Sequence, residues 1–154
     1  MAFLQATDTI SGQEGRAYAT INGQVEEMFY IKALEAKVEK EKAEVKTLGK
    51  RVTQHKAIGW SGSGSMTVYY VTSLFRQMML DYIKSGRDTY FSIVVVNEDP
   101  ASSIGKQTIT LSGVNLNSII MAKLDTESEG LDEEIEFTFE DVDIQDKFVK
   151  PIQA

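Results

Sequence analysis

The sequence predicts a mostly β fold, a barrel or sandwich with one flanking α-helix at residues 73–85. Three patterns predict it. In residues 133–140, Ile135, Phe137 and Phe139 alternate with Glu134, Glu136, Thr138 and Glu140, the period of a half-buried strand. Residues 89–96 are apolar on both faces, as in a strand covered on two sides. Leu74, Phe75, Met78, Met79, Tyr82 and Ile83 form one helix face, with Arg76, Gln77, Asp81 and Lys84 opposite.

The elements follow in order. Residues 1–15 lack periodicity and read as a flexible arm, mobile or docked on something else. Residues 16–21 alternate in part, and Asn22-Gly23 supplies the positive φ angles of a type I′ hairpin turn, so residues 25–30 are the returning strand. Residues 32–48 are ambiguous. Their Ala, Glu, Lys and Leu favour a helix, and Leu34, Val38, Glu41, Val45 and Leu48 keep helical spacing. Leu34, Ala36 and Val38 also alternate with Glu35 and Lys37 as a strand would. The Gly-Ser run of residues 59–65 reads as a flexible loop. Residues 66–71 are rich in β-formers. Ser73 suits a helix N-cap, and Gly86 suits the position after the helix end. Asp99-Pro100 marks a loop at 97–105. Strands are expected at 107–114, 118–124 and 133–140, the last two joined by residues 125–130. The 154 residues make one domain, 1–154, ending in a short tail at 147–154.

Composition removes several function classes. With no cysteine there is no disulfide framework, thiol nucleophile or Cys-based zinc site. His55 is the single histidine, so one chain cannot build a multi-His metal site. The N-terminus lacks a basic and then apolar leader, and apolar runs such as residues 93–96 are far too short for a bilayer. Synthesis in the cytoplasm and no membrane insertion are expected. The net charge of −7 is uneven: residues 124–146 carry eleven acidic groups and no basic one, leaving the remainder at +4. Unlike surfaces of separate copies could therefore meet, unless the acidic face serves only solubility. Tight nucleic-acid binding is disfavoured.

No motif carries chemistry. Gly59–Ser65 lacks the lysine of a phosphate loop, and Gly105-Lys106 is followed by Gln107 where Mg²⁺ needs Ser or Thr. Asp125, Glu127, Glu129, Gly130 and Glu136 copy an EF-hand spacing, but longer Glu replaces Asp and strands replace the flanking helices. Glu134 and Glu136 share a face with nothing nearby to raise one pKa, and Asp132 and Glu133 add no better pair. His55 with Ser61 or Ser63 lacks a nucleophile elbow. Trp60, Tyr69, Tyr70 and Tyr90 suit a stacking platform less than a core or subunit interface. No catalytic, cofactor or metal residue is assigned, and no enzyme activity is expected.

Several segments in order carry a resemblance. They are Thr-Ile-Ser-Gly-Gln-Glu-Gly-Arg at 9–16, Leu-Glu-Ala-Lys-Val-Glu-Lys at 34–40, Leu48-Gly49-Lys50-Arg51, His55-Lys56, Gly62-Ser63-Gly64, Val71-Thr72-Ser73, residues 78–82, and Glu-Ile-Glu-Phe-Thr-Phe-Glu-Asp at 134–141. Together, over residues 9–148, they resemble the tail-tube proteins of PBSX-type defective prophages and related contractile-tailed phages. The resemblance implies a β-barrel or sandwich with one helix, forming hexameric rings. Strands of neighbouring copies would join around a lumen, and rings would stack inside a contractile sheath. It also implies an extended segment from Leu34, so a strand to about Val38 is expected against helix propensity.

The expected function is a structural subunit of a contractile tail tube, in a phage or phage-like particle, enclosing a channel for DNA or effector passage. Expected partners are further copies, then sheath, baseplate and tape-measure proteins, with DNA passing unbound. Part of the 125–146 acidic set would line or rim the lumen and repel phosphates. Residues 1–15 and 39–65 would order on stacking. The alternatives are the tube of a bacterial contractile secretion system and a small β-sandwich binding module.

Overall fold

A computed structural model describes residues 3–150 of the chain. It contains β1 (Gly15–Ile21), β2 (Gln24–Glu27), β3 (Ile31–Val45), β4 (Gln54–Tyr69), α1 (Leu74–Ser85), β5 (Phe91–Glu98), β6 (Lys106–Ser118), β7 (Asp132–Phe139) and β8 (Asp141–Asp146). The strands pair antiparallel in the order β2-β1-β5-β6-β7-β4-β3, and β8 joins the other side of β6. The mostly β class with one helix is as the sequence predicts.

The sheet turns over on itself along β6. The first part of β6 pairs with β5 and β8, and its last part pairs with β7. Gly113 sits at the change with φ 66, where a Cβ would lie 2.9 Å from Glu140 Cβ. A side chain would be strained there in both backbone and space. The two halves enclose one core: Ala17, Ala19, Ile93 and Leu111 from one, Met66, Val68, Ile135 and Phe137 from the other. The Ile135, Phe137 and Phe139 face of β7 is buried, as its alternation requires. At the first hairpin, Asn22 and Gly23 take φ 51 and 81, both positive as a type I′ turn demands.

Four sequence expectations change. The Gly-Ser run 59–65 is the middle of β4, not a flexible loop. Its glycines and serines alternate because the two faces differ. Gly62 and Gly64 face inward, where a Cβ would come within 2.4 Å of the Phe139 ring and 2.6 Å of the Phe137 ring. The glycines leave room for the aromatics of β7, and those rings cover the backbone in return. Ser61, Ser63 and Ser65 take the other face. Second, the strand that begins β3 runs past Val38 through the charged stretch to Val45. Cross-strand pairing with β4 outweighs its helix propensity. Third, no strand forms at 118–124: β6 carries on through Ser118, and residues 119–131 are irregular. Fourth, β8 is additional. Its residues are all exposed, so burial gives its sequence no apolar run.

The helix differs in detail. Only Phe75 is buried, 6.3 Å from the Phe91 ring centroid, with Leu74 and Met78 packed alongside. Tyr82 and Ile83 of the expected apolar face are exposed. Ser73 makes no side-chain cap; Thr72 Oγ1 accepts from the Leu74 N–H instead, at 3.2 Å. Gly86 closes the helix in the left-handed region.

At the N-terminal side, a short 3₁₀ turn (Ala6–Asp8) rests on the 97–105 loop. Ser103 donates through its N–H to Thr7 O (2.7 Å) and through its hydroxyl to Asp8 Oδ1 (2.6 Å). The Ser11 N–H donates to Asp99 Oδ2 at 2.9 Å. The Ser103 hydroxyl, then the Gln5 N–H, hold the Asp8 carboxyl below its ordinary pKa. Near the other end, the Val149 N–H donates to Ile104 O. No helix among the described residues is long and apolar enough to cross a membrane.

Candidate assembly surface

Strand alternation sorts β3, β4 and β7 into an inner and an outer face. The outer face carries Glu35, Lys37, Glu39 and Glu41 from β3, Ser61, Ser63, Ser65 and Thr67 from β4, and Glu134, Glu136 and Thr138 from β7. With Asp132 of β7, 3.3 Å from Lys32, that is six carboxylates against two lysines, 2 − 6 = −4. Lys37 lies 3.1 Å from Glu39. A shallow groove of about 370 Å³ runs over Glu35, Lys37, Ser63, Ser65, Glu134 and Glu136. The surface is polar, serine-smooth and acidic, with no basic cluster to hold phosphate.

Beyond Gly62, which pairs with Phe139 at the end of β7, β3 and β4 have only each other among the described residues. A two-stranded ribbon projects from the sandwich, closed by residues 46–53. Nearly all its side chains are exposed. Residues 46–56 carry Lys46, Lys50, Arg51 and Lys56 and no acid. At the opposite end of the same strands, residues 124–131 carry Asp125, Glu127 and Glu129 and no base. A lone ribbon is marginal in water, so its extension past the sheet calls for an external support.

A buried ion pair fixes the helix beside this sheet. Arg76 Nη1 donates to Glu133 Oε1 and Oε2 at 2.9 and 2.8 Å and to Ile120 O at 3.3 Å. Its Nη2 donates to Thr72 O, and its guanidinium stacks 4.3 Å from the Tyr70 ring centre. The side chains of Arg76 and Glu133 are 12% and 1% exposed. The helix pattern places Arg76 on the solvent side, so sequence alone misses the pair. The one signal was Glu133, an acid in phase with Ile135, Phe137 and Phe139.

The weighed motifs do not converge. Asp125, Glu127 and Glu129 lie in the irregular 119–131 segment, and Asp125 Oδ1 is used by the Glu127 N–H. Glu136 stands on β7, and among the described residues no three His, Asp or Glu gather as a cation site. Glu134 and Glu136 share the open outer face, while Glu133 is tied to Arg76. His55 pairs opposite Glu44 on the ribbon, six residues or about 20 Å along β4 from Ser61. Trp60 and Tyr69 are nine residues apart on β4, and Tyr70 is under Arg76, so no platform forms. Lys106 begins a strand and lies 3.7 Å from Asp146, not at a helix N-terminus.

Comparison with known proteins gives this surface its context. A family model described as phage tail tube protein matches residues 2–146. Phage-like element PBSX protein XkdM of Bacillus subtilis (strain 168) is 48% identical over 144 residues, covering 94% of this chain and 95% of that one. A chain in the six-fold symmetrised baseplate of the anti-feeding prophage superimposes with TM-score 0.68 at 17% identity, over 91% of this chain and 97% of that one. A chain in the extended sheath–tube complex of the extracellular contractile injection system PVC gives 0.61 at 15% identity, over 89% and 91%. The likeness of these two is one of fold. The chain belongs to the phage tail tube protein family, whose members are structural components of a virion tail or phage-like particle.

Proposed function

We propose that copies of this tail tube protein close into hexameric rings that stack into a hollow tube, with the outer face of β3, β4 and β7 turned to the channel. One observation carries the reading. The sheet has a smooth acidic face and ends on a fifteen-residue strand, β3, whose far edge is unpaired among the described residues. An open edge of that length is a template for another strand. Pairing it to a different strand of the next copy is a heterologous contact, which closes into a ring when the rotation allows. The six-fold assembly of the anti-feeding prophage chain supports the ring number.

An acidic, serine-lined channel suits passage. Like charge repels DNA phosphates, so a genome or effector slides without binding. The projecting ribbon reaches the next ring, where its strands gain the cover they lack in one subunit. The N-terminal turn, held on the 97–105 loop, is a second stacking element. Sheath, baseplate and tape-measure proteins complete the tail, built in the host cytoplasm. The sheath–tube complex of PVC supports the first of these partners. The subunit has a structural and not a catalytic role.

Concentrating the purified chain and viewing it by negative-stain electron microscopy tests this reading. Rings or hollow tubes are expected. A strict monomer at every concentration, with or without a baseplate seed, would overturn it. In tubes carrying Glu134→Cys, the thiol should react with small maleimides and resist polymer-linked ones too wide for the channel. Equal labelling by both would remove the face from the lumen.

A further inference from the structure

Phe29 is 82% exposed, yet it stands on one of the better-anchored turns in the chain. Its neighbours Met28 and Tyr30 are both buried. The Met28 N–H donates to Ala17 O at 2.8 Å, the Ile31 N–H to Met28 O at 3.1 Å, and the Tyr69 N–H to Tyr30 O at 3.0 Å. The Phe29 ring stands edge-on to Tyr30, 5.5 Å between centroids. Nothing within the subunit needs this ring in water. A rigid, pre-positioned aromatic held in solvent has the character of an interface anchor, because little freedom is left to lose on binding.

The ribbon offers a matching recess. Val38, Lys40, Ala57, Gly59 and Trp60, with Val142 of β8, line an open apolar groove of about 420 Å³. Trp60 forms one wall, 44% exposed and 6.3 Å from the Phe139 ring centre. The charges are complementary. Lys40 pairs opposite Trp60 and Lys42 opposite Ala57, so both lysines share the groove's face. Phe29 is preceded by Glu26 and Glu27, the second of which also lies near Arg16.

We propose that Phe29 of one copy inserts into the Val38–Trp60–Val142 groove of a second copy. The inference rests on the self-assembly reading and names a contact within it. Phe29 sits on the turn just before β3, and the groove begins seven residues along that strand at Val38, about 23 Å from Ile31. Neither can reach its counterpart in the same chain. The contact is therefore heterologous and displaced along the strands, the geometry of stacking. Glu26 then approaches Lys40 and fixes the register.

The chain has no cysteine, which permits a direct test. In assembled Phe29→Cys/Val38→Cys, a short bis-maleimide should give a ladder of covalent oligomers, absent in either single variant. Phe29→Ala should keep the wild-type melting temperature and raise the critical concentration for tube growth at least about tenfold. Glu26→Lys and Lys40→Glu should each impair growth, and their combination should restore it. No ladder in the double variant assembled above its raised critical concentration, or normal growth of Phe29→Ala, would overturn the contact and leave the tube reading intact. Failure of the wild type to assemble at all would overturn both.

Discussion

Replacing Gly64 by alanine is expected to destabilise the subunit by about 1–3 kcal/mol, the range for forcing an extra carbon into a packed interior. The added Cβ would lie 2.6 Å from Glu35 O on β3 and 2.6 Å from Cζ of Phe137. Ordinary contact is about 3.5–4.0 Å, so roughly 1 Å is missing on two sides. Relief is difficult on both. Glu35 belongs to a ladder that runs the length of β3 and β4, and Phe137 is fully buried. At about 2–4 °C per kcal/mol for a chain of this size, the melting temperature falls by roughly 2–12 °C. A flexible loop predicts the opposite sign, since Gly→Ala there stabilises by about 0.4–1 kcal/mol through the unfolded chain. Urea denaturation below the assembly concentration measures the difference as a lowered midpoint at constant slope. Gly59→Ala is the internal control. Its Cβ meets only the Glu41 carboxylate at 3.5 Å, and a change within about 0.5 kcal/mol is expected. A Gly64→Ala protein as stable as wild type would refute the packing argument for the Gly-Ser run.

Other perturbations probe the ion pair, the buried phenol, the N-terminal turn and the acidic loop. Arg76→Met leaves Glu133 buried without its partner and should cost about 3–5 kcal/mol, whereas Arg76→Met/Glu133→Leu should recover most of it in thermal melts. Tyr30 has its pKa pushed up to about 12 by burial, then by the Glu26 carboxylate, against about 10 in the unfolded chain. Its contribution to stability is complete below pH 10 and lost as pH rises from 10 to 12, and Tyr30→Phe should flatten that limb of the melting profile. Asp8 is lowered, so its contribution is present above about pH 4 and lost on further acidification. Asp8→Asn should reduce acid sensitivity in that range if other carboxylates are unchanged. Millimolar Ca²⁺ should leave the melting temperature of wild type and Glu136→Ala alike, and a shift abolished by the substitution would restore the cation site.

The sequence by itself determined the β class, the first hairpin, the one helix and the inward face of β7. Each rests on local physics: the 2.0 and 3.6 periods, the φ demands of Asn22-Gly23, and the end signal of Gly86. The ordered segments along the chain likewise pointed to the tail-tube family. What the tertiary structure decided was the meaning of residues whose partners are distant. Gly62 and Gly64 look flexible until Phe139 and Phe137, more than seventy positions away, fill the space above them. The Glu-Lys stretch at 39–45 looks helical until β4 pairs with it. Arg76 looks solvated until Glu133 arrives from β7. The acidic surface was legible as a count of charges, but only the pairing of β3, β4 and β7 shows which carboxylates share a face. Local propensity is worth tenths of a kcal/mol per residue, and cross-strand pairing and aromatic packing outweigh it wherever they oppose it.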